Sequence, residues 1–156
     1  MKIAIGCDDA GEPLLRIVEE LLQDHNNVDV INLSAADTDA IEHYPDVAER
    51  VALAVANDGC DRGILVCGTG IGMAITACKV PGIRAALCHD AYSAERSRKS
   101  NNAQILTMGA RVIGPELAKS IVETWLLSEF DDSSPSAPKV RRMAEIDAKY
   151  LKPTGK

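Results

Sequence analysis

Short apolar runs alternate along the chain with longer segments in which apolar residues recur every three or four positions, and that alternation predicts a parallel β-sheet wrapped by helices. Strands are expected over residues 2–7, 28–33, 62–67, 83–88 and 104–108. Several of these runs are too uniformly apolar to alternate, as strands covered on both faces are. The first helix places Leu14, Ile17, Val18, Leu21 and Leu22 on one stripe, with Pro13 near its start, where a missing N–H is harmless. A second, over 46–58, repeats the period with Val47, Val51, Ala54 and Val55. A short alanine-containing helix follows Gly70-Ile71-Gly72 and ends at Pro81-Gly82; another spans 91–100, and one more starts at Pro115 and carries Leu117, Ile121, Val122 and Trp125. The expected fold class is α/β, a three-layer Rossmann- or flavodoxin-like sandwich with a five-stranded parallel sheet and a C-terminal helix.

One break in composition, Asp131-Asp132-Ser133-Ser134-Pro135-Ser136-Ala137-Pro138, predicts an exposed connection over 131–138. It separates an α/β unit, 1–130, from a final helix and tail, 139–156, assigned to the same domain. Val140, Met143, Ile146 and Tyr150 recur there at helical spacing, and Lys139, Arg141 and Arg142 form a basic cluster at its start. Such a tail can pack on its own domain or cross to a partner subunit.

The chain has 156 residues, 46% apolar and 26% charged, the balance of one domain folding around its own core. Its longest uncharged stretch, 63–78, is 16 residues with four glycines, short of the roughly 18 apolar residues a spanning helix needs. Asp8 and Asp9 interrupt the amino terminus before a signal sequence can form, so a soluble, cytoplasmic protein is expected. Seventeen Lys and Arg against 23 Asp and Glu give a net charge of −6, which repels a polyanion, and five aromatic residues are too few for stacking platforms. Neither nucleic acid nor membrane is an expected partner. The five cysteines, 7, 60, 67, 78 and 88, form no C-x-x-C pair, and His25, His43 and His89 stand too far apart for zinc-ligand spacing. Reduced thiols, no metal and no cofactor are expected, with the histidines in surface or structural roles.

In an open parallel sheet the ligand lies beyond the carboxyl ends of the strands. The turns there are Cys7-Asp8-Asp9-Ala10-Gly11, Cys67-Gly68-Thr69-Gly70-Ile71-Gly72, Cys88-His89-Asp90 and Met108-Gly109-Ala110-Arg111. Alternate glycines in the second let backbone N–H groups converge on an anion, although the same glycines also suit a tight strand-to-helix turn. The pattern is neither a dinucleotide fingerprint nor a P-loop. A thiol at a helix amino terminus ionises readily, which makes Cys67 the candidate base, against the alternative of one more buried cysteine. Asp8 suits acid–base or hydroxyl-binding work, or caps a turn; Arg111 suits a phosphate fork, or a surface ion pair.

Taken together these residues resemble the family of ribose-5-phosphate isomerase B and galactose-6-phosphate isomerase, over nearly the whole chain. The resemblance rests on Gly6-Cys7-Asp8 with Ala10-Gly11, Tyr44-Pro45, the run from Gly63 through Cys67-Gly68-Thr69-Gly70-Ile71-Gly72, and Lys79-Val80-Pro81-Gly82-Ile83-Arg84-Ala85-Ala86. Tyr92-Ser93-Ala94, Ser97-Arg98, Asn101-Asn102 and Gly109-Ala110-Arg111-Val112-Ile113-Gly114 complete it. It implies metal-free aldose–ketose isomerisation of a small phosphorylated sugar in a homodimer, or a dimer of dimers, whose active sites each borrow residues from the other subunit. By position, Cys67 moves the proton between C1 and C2 with Thr69 beside it. The amides of Gly68, Gly70, Ile71 and Gly72 meet the enediolate oxygen, and Asp8 and Asn101 hold sugar oxygens. Arg111 binds phosphate with a cation of the last helix, Arg142 or Lys139. Tyr44, Asp9 and Ser100 fall at further substrate-binding positions. Members lacking the cysteine use a glutamate at the position of Met73, which cannot serve here.

Two departures bear on the substrate. Pentose-phosphate members carry histidine at the positions of Asp9 and Ser100, the second to open a furanose ring. A sugar whose O4 carries the phosphate cannot form that ring. The segments around Ser93-Ala94-Glu95-Arg96 and Thr107-Met108-Gly109 also resemble the erythritol branch of the family, which implies conversion of erythrulose 4-phosphate to erythrose 4-phosphate, with ribose 5-phosphate as the alternative. A receiver-like phospho-binding module shares the acidic pair after strand one, but needs an aspartate and a lysine where this chain has Cys67 and Gly109. A nucleotide-binding stress-type protein is the remaining alternative.

Overall fold

A computed structural model describes residues 1–35, 41–57 and 59–150. Among them, strands β1 (Lys2–Cys7), β2 (Asp29–Asn32), β3 (Arg62–Cys67), β4 (Ala85–Leu87) and β5 (Ile105–Gly109) alternate with helices α1 (Glu12–Gln23), α2 (Tyr44–Ala56), α3 (Ile71–Ala77), α4 (Ala91–Lys99) and α5 (Pro115–Leu126). Helix α6 (Ala137–Tyr150) follows. All strand pairs are parallel, in the order β2-β1-β3-β5-β4. The expected α/β sandwich is present, with β5 lying between β3 and β4. Burial matches this order: all five residues of β5 are buried, whereas Ala85 and Ala86 are half-buried and Leu87 is exposed.

Side chains alternate across the sheet and build two cores. Ile64 and Val66 of β3 join Leu14 and Val18 of α1, Ala94 of α4 and Trp125 of α5 on one face. Leu65 and Cys67 join Val47 and Val51 of α2 with Met73 and Ala77 of α3 on the other. The chain therefore leaves β1 for one face and β3 for the opposite face, which opens a crevice between their carboxyl ends.

The elements follow the sequence with local shifts. On α1 Leu15 is buried with Leu14, Val18 and Leu22, while Ile17 and Leu21 are half-buried. Helix α2 begins at Tyr44, before the expected start at 46, because Pro45 fits its first turn and His43 N–H donates to the Asp46 carboxylate at 2.7 Å. Strand β4 forms over three residues only, and α6 begins at Ala137, inside the expected connection. The expected ends of the second helix at 58 and of the tail over 151–156 lie outside the described residues. No described helix is long and apolar enough to cross a membrane.

Beneath the sheet Arg62 donates to the Trp125 carbonyl at 2.9 Å and the Ser128 carbonyl at 3.1 Å, and pairs with Glu129. These carbonyls lie at and just beyond the end of α5. Arg98 joins through the Ala103 carbonyl at 2.8 Å and the Asn102 side chain at 3.1 Å. Burial, with Arg62 beside it, lowers Arg98 to about 10.

Candidate active site

Strand β3 delivers Cys67 to the crevice, directly beside Gly109 of β5. The chain then turns through Gly70 at φ +77°, where a Cβ would collide with Leu87 and the backbone of Met108. Only glycine suits that left-handed turn. It carries the Gly70 N–H onto Cys67 Sγ at 3.0 Å, while the buried Thr107 hydroxyl donates to the Gly70 carbonyl at 3.0 Å. Cys67 is 6% exposed.

The neighbouring cysteines differ. Burial pushes the Cys88 thiol up to about 11, a hydrogen bond with Ser97 opposing it. Burial also raises Cys7, with Ser34 opposing and Asp8 adding to the rise, and it raises Cys60. These thiols stay protonated at neutral pH and serve as packing residues. Cys78 is exposed near β4, bonded to Ala85.

Arg111 is placed by two bonds to the same turn, Ala110 N–H to the Cys67 carbonyl at 2.8 Å and Arg111 N–H to the Gly68 carbonyl at 3.0 Å. Its Cδ and Nε lie 3.5 Å from where a Cβ on Gly68 would stand. Among the described residues the guanidinium has no carboxylate partner, unlike Arg50, which is held by Glu42 at 2.5 Å. An unengaged cation beside backbone N–H groups is a ready phosphate fork. Asp8 is half-buried and accepts the Gly11 N–H at 2.9 Å; Asp9 is exposed. Tyr44 lays its ring so close to Gly72 that any side chain there would collide with it. Asp8, Asp9, Ser34, Tyr44 and Arg111 line a cleft of about 1000 Å³. From the cleft Arg111 reaches Gly68 and Tyr44 reaches Gly72, both in the turn that follows Cys67.

Ser100, Asn101, Lys139 and Arg142 are elsewhere. Helix α4 runs from the carboxyl end of β4 back to the amino end of β5, and Ser100 caps it there. Asn101 donates to the Arg96 carbonyl at 3.1 Å, and its own carbonyl receives Arg84, one residue before β4. The four-residue offset between Ile105 and Gly109 puts this end about 13 Å from the level of Cys67 along the strands. Lys139 and Arg142 are exposed on α6, Arg142 pairing with Glu145 at 2.7 Å. One chain therefore brings together Cys67, Thr69, the glycine turn, Asp8, Asp9, Tyr44 and Arg111, leaves Ser100 and Asn101 at the far end, and holds Lys139 and Arg142 exposed on α6.

Two supporting residues escaped the sequence reading, and a third, His89, is expected there only in a surface or structural role. Ser34 accepts the Cys7 N–H at 3.1 Å, Thr107 fixes Gly70, and His89 Nε2 accepts the Gly109 N–H at 3.0 Å. Thr107 carried a signal, a lone hydroxyl inside an apolar strand that must find a buried partner. Among the described residues no three His, Cys, Asp or Glu side chains converge as a metal cage requires.

Against known proteins, the sequence model described as ribose/galactose isomerase matches residues 3–143. The chain is 54% identical to a ribose-5-P isomerase B of Listeria innocua, over 96% of this chain and 99% of the relative. It is 52% identical to a D-erythrulose-4-phosphate isomerase of Pectobacterium atrosepticum, over 92% and 93%. The solved ribose-5-phosphate isomerase B of Clostridium thermocellum superposes with a TM-score of 0.87 at 45% identity, covering 96% of this chain and 99% of that one.

Proposed function

The chain belongs to the ribose/galactose isomerase family and is a sugar-phosphate isomerase, and from that premise we propose that it interconverts D-erythrulose 4-phosphate and D-erythrose 4-phosphate. The observation that carries the chemistry is the Cys67 sulfur, held by the Gly70 N–H within a turn that Arg111 flanks. Cys67 thiolate takes the proton from C1 of the ketose, the C1–C2 enediolate forms, a proton passes from O1 to O2, and the thiol returns its proton to C2. Each developing oxyanion needs fixed donors, one of which is worth roughly 3 to 4 kcal/mol, and the N–H groups of Gly68 to Gly72 supply them. Thr69 adds a hydroxyl, Asp8 holds a sugar oxygen, and Tyr44 closes the side of the cleft. Arg111 takes the phosphate.

The far-end residues and the cations of α6 enter through a second subunit. We place Ser100, Asn101, Arg142 and Lys139 in the partner's site, in a cytoplasmic homodimer, because a strand length separates Ser100 and Asn101 from Cys67 in one chain and Lys139 and Arg142 lie exposed on α6. The apolar stripe of α6 supports this: Ile146 and Tyr150 are 42% and 69% exposed, surfaces that a second copy can cover.

The tetrose is favoured by the side chains at 9 and 100. An aspartate and a serine stand there, and neither offers the imidazole that a cyclic pentose needs for ring opening. Ribose 5-phosphate is the second reading, favoured by the relative from Listeria innocua. Purified protein given erythrose 4-phosphate and ribose 5-phosphate side by side should prefer the tetrose at least tenfold in kcat/KM, about 1.4 kcal/mol. A preference for the pentose overturns the substrate assignment and leaves the isomerase reading standing.

A further inference from the structure

We propose that His89 is a positioning residue for the phosphate end of the site, standing in for a strand that stops too early. In the pairing of β4 with β5, Ile105 N–H bonds the Arg84 carbonyl at 3.3 Å and Cys88 N–H bonds the Thr107 carbonyl at 3.1 Å. Continued by that register, the Gly109 N–H would meet the Cys88 carbonyl. The ladder ends first, because β4 closes at Leu87 and the chain turns away into α4 at Ala91. Gly109 is buried, so its N–H would be left without an acceptor. His89 Nε2 fills the place at 3.0 Å.

A backbone N–H only donates, so Nε2 presents its lone pair and the ring proton sits on Nδ1. What this bond holds is specific. The Gly109 backbone lies against that of Thr69, so closely that a Cβ would come within 2.7 Å of it. The next two N–H groups grip the carbonyls of Cys67 and Gly68, and the Gly109 carbonyl receives Val112 and Ile113 at 2.9 and 3.1 Å. Gly109 is thus the hinge from which Arg111 reaches across Gly68. With no acceptor at 89, that hinge loses its anchor on the β4 side, and Arg111 loses its aim before Cys67 loses its donor.

The proposal rests on the assignment of Arg111 to phosphate, and the test separates the two. His89→Ala should raise KM for the preferred sugar phosphate, and the inhibition constant of inorganic phosphate, by about 10-fold or more, in line with one buried N–H left unsatisfied, while kcat changes by less than about threefold. His89→Gln places an amide oxygen near the Nε2 position and should restore most of both. Nitrogen NMR of the wild-type imidazole should show Nε2 unprotonated, a readout that needs no substrate and no variant. Unchanged phosphate inhibition in His89→Ala, equal damage in the Ala and Gln variants, or a proton found on Nε2 each overturns the proposal. Loss of phosphate inhibition in His89→Ala alongside an unaffected Arg111→Ala would instead remove Arg111 from the phosphate site and, with it, the route assigned to His89.

Discussion

The two ends of the sheet offer unlike halves of a site. At the carboxyl end, Cys67, Asp8 and Arg111 come from three adjacent strands, and each is placed by hydrogen bonds whose partners lie within the chain. At the other end, Asn101 projects from an exposed turn, Arg142 and Lys139 stand on the outer face of α6, and a groove of about 580 Å³ runs between β4, α4 and α6. Arg84, Met143 and Ile146 line that groove together with Asn101. The first half is preorganised for the proposed chemistry on carbon and for one phosphate contact. The second has polar groups and uncovered apolar surface. Under the proposed dimer, the contrast puts rigidity where charge must develop, and the groups proposed to complete binding where a second copy can bring them.

The largest effect should come from removing the base. Cys67→Ala is expected to lower kcat by about 10³-fold or more, the upper part of what a positioned general base contributes, with little change in KM. Steady-state kinetics on the preferred substrate check it. Turnover within tenfold of wild type would detach the chemistry from the carboxyl end and leave the comparison without its first term.

The next effect sharpens the division between the halves. If Asn101 acts across the interface, Asn101→Ala and Cys67→Ala homodimers are both impaired, yet coexpressed they form mixed dimers with one intact site. A random mixture then recovers about a quarter of wild-type activity, because half the molecules are mixed and each carries one good site of two. Activity of the mixture no greater than the average of the two variants sinks the cross-subunit reading.

A smaller change is expected for the phosphate contacts. Arg111→Ala should raise KM about 10- to 100-fold, as the loss of a charge-assisted fork does, and Arg142→Ala by less, since Arg142 approaches from a solvent-exposed helix. Inhibition by inorganic phosphate measures both without involving the reacting carbons. Equal losses at the two positions would erase the asymmetry between the ends.

How far these halves could be read from sequence follows from what periodicity encodes. The strands β1, β3 and β5 and the glycine turn after Cys67 were legible because burial on both faces and a left-handed turn impose their own residue types. The family resemblance added Asn101 and the cations of α6, residues that no local pattern singles out. The order of β4 and β5 in the sheet was not legible, since an apolar run reports that a strand is covered and not which neighbour covers it. The run 83–88 read as a full strand because Ile83 and Cys88 are as apolar as ladder residues. In the fold they serve the two cores instead, Ile83 with α2 and α3, Cys88 with α1 and α5. The shortness of β4 is also why a histidine expected to be structural lies on the hinge of Arg111.

The smallest predicted effect tests whether the far end selects the substrate as well as binding it. Ser100 is half-buried at the end of α4, its N–H bonded to the Arg96 carbonyl at 2.9 Å, so a larger side chain there points out of the helix end without breaking a turn. An imidazole at 100 supplies a group able to move a proton between ring oxygen and anomeric hydroxyl, a step that only a cyclic sugar requires. Ser100→His should therefore improve kcat/KM for ribose 5-phosphate a few-fold, within the low end of what a positioned acid–base group contributes, and leave erythrose 4-phosphate within about twofold. Comparing the two substrates in one preparation cancels any change in stability or dimerisation. Equal gains or equal losses on both sugars would mean that position 100 acts on binding alone, and the choice between tetrose and pentose would then pass to Asp9 at the preorganised end.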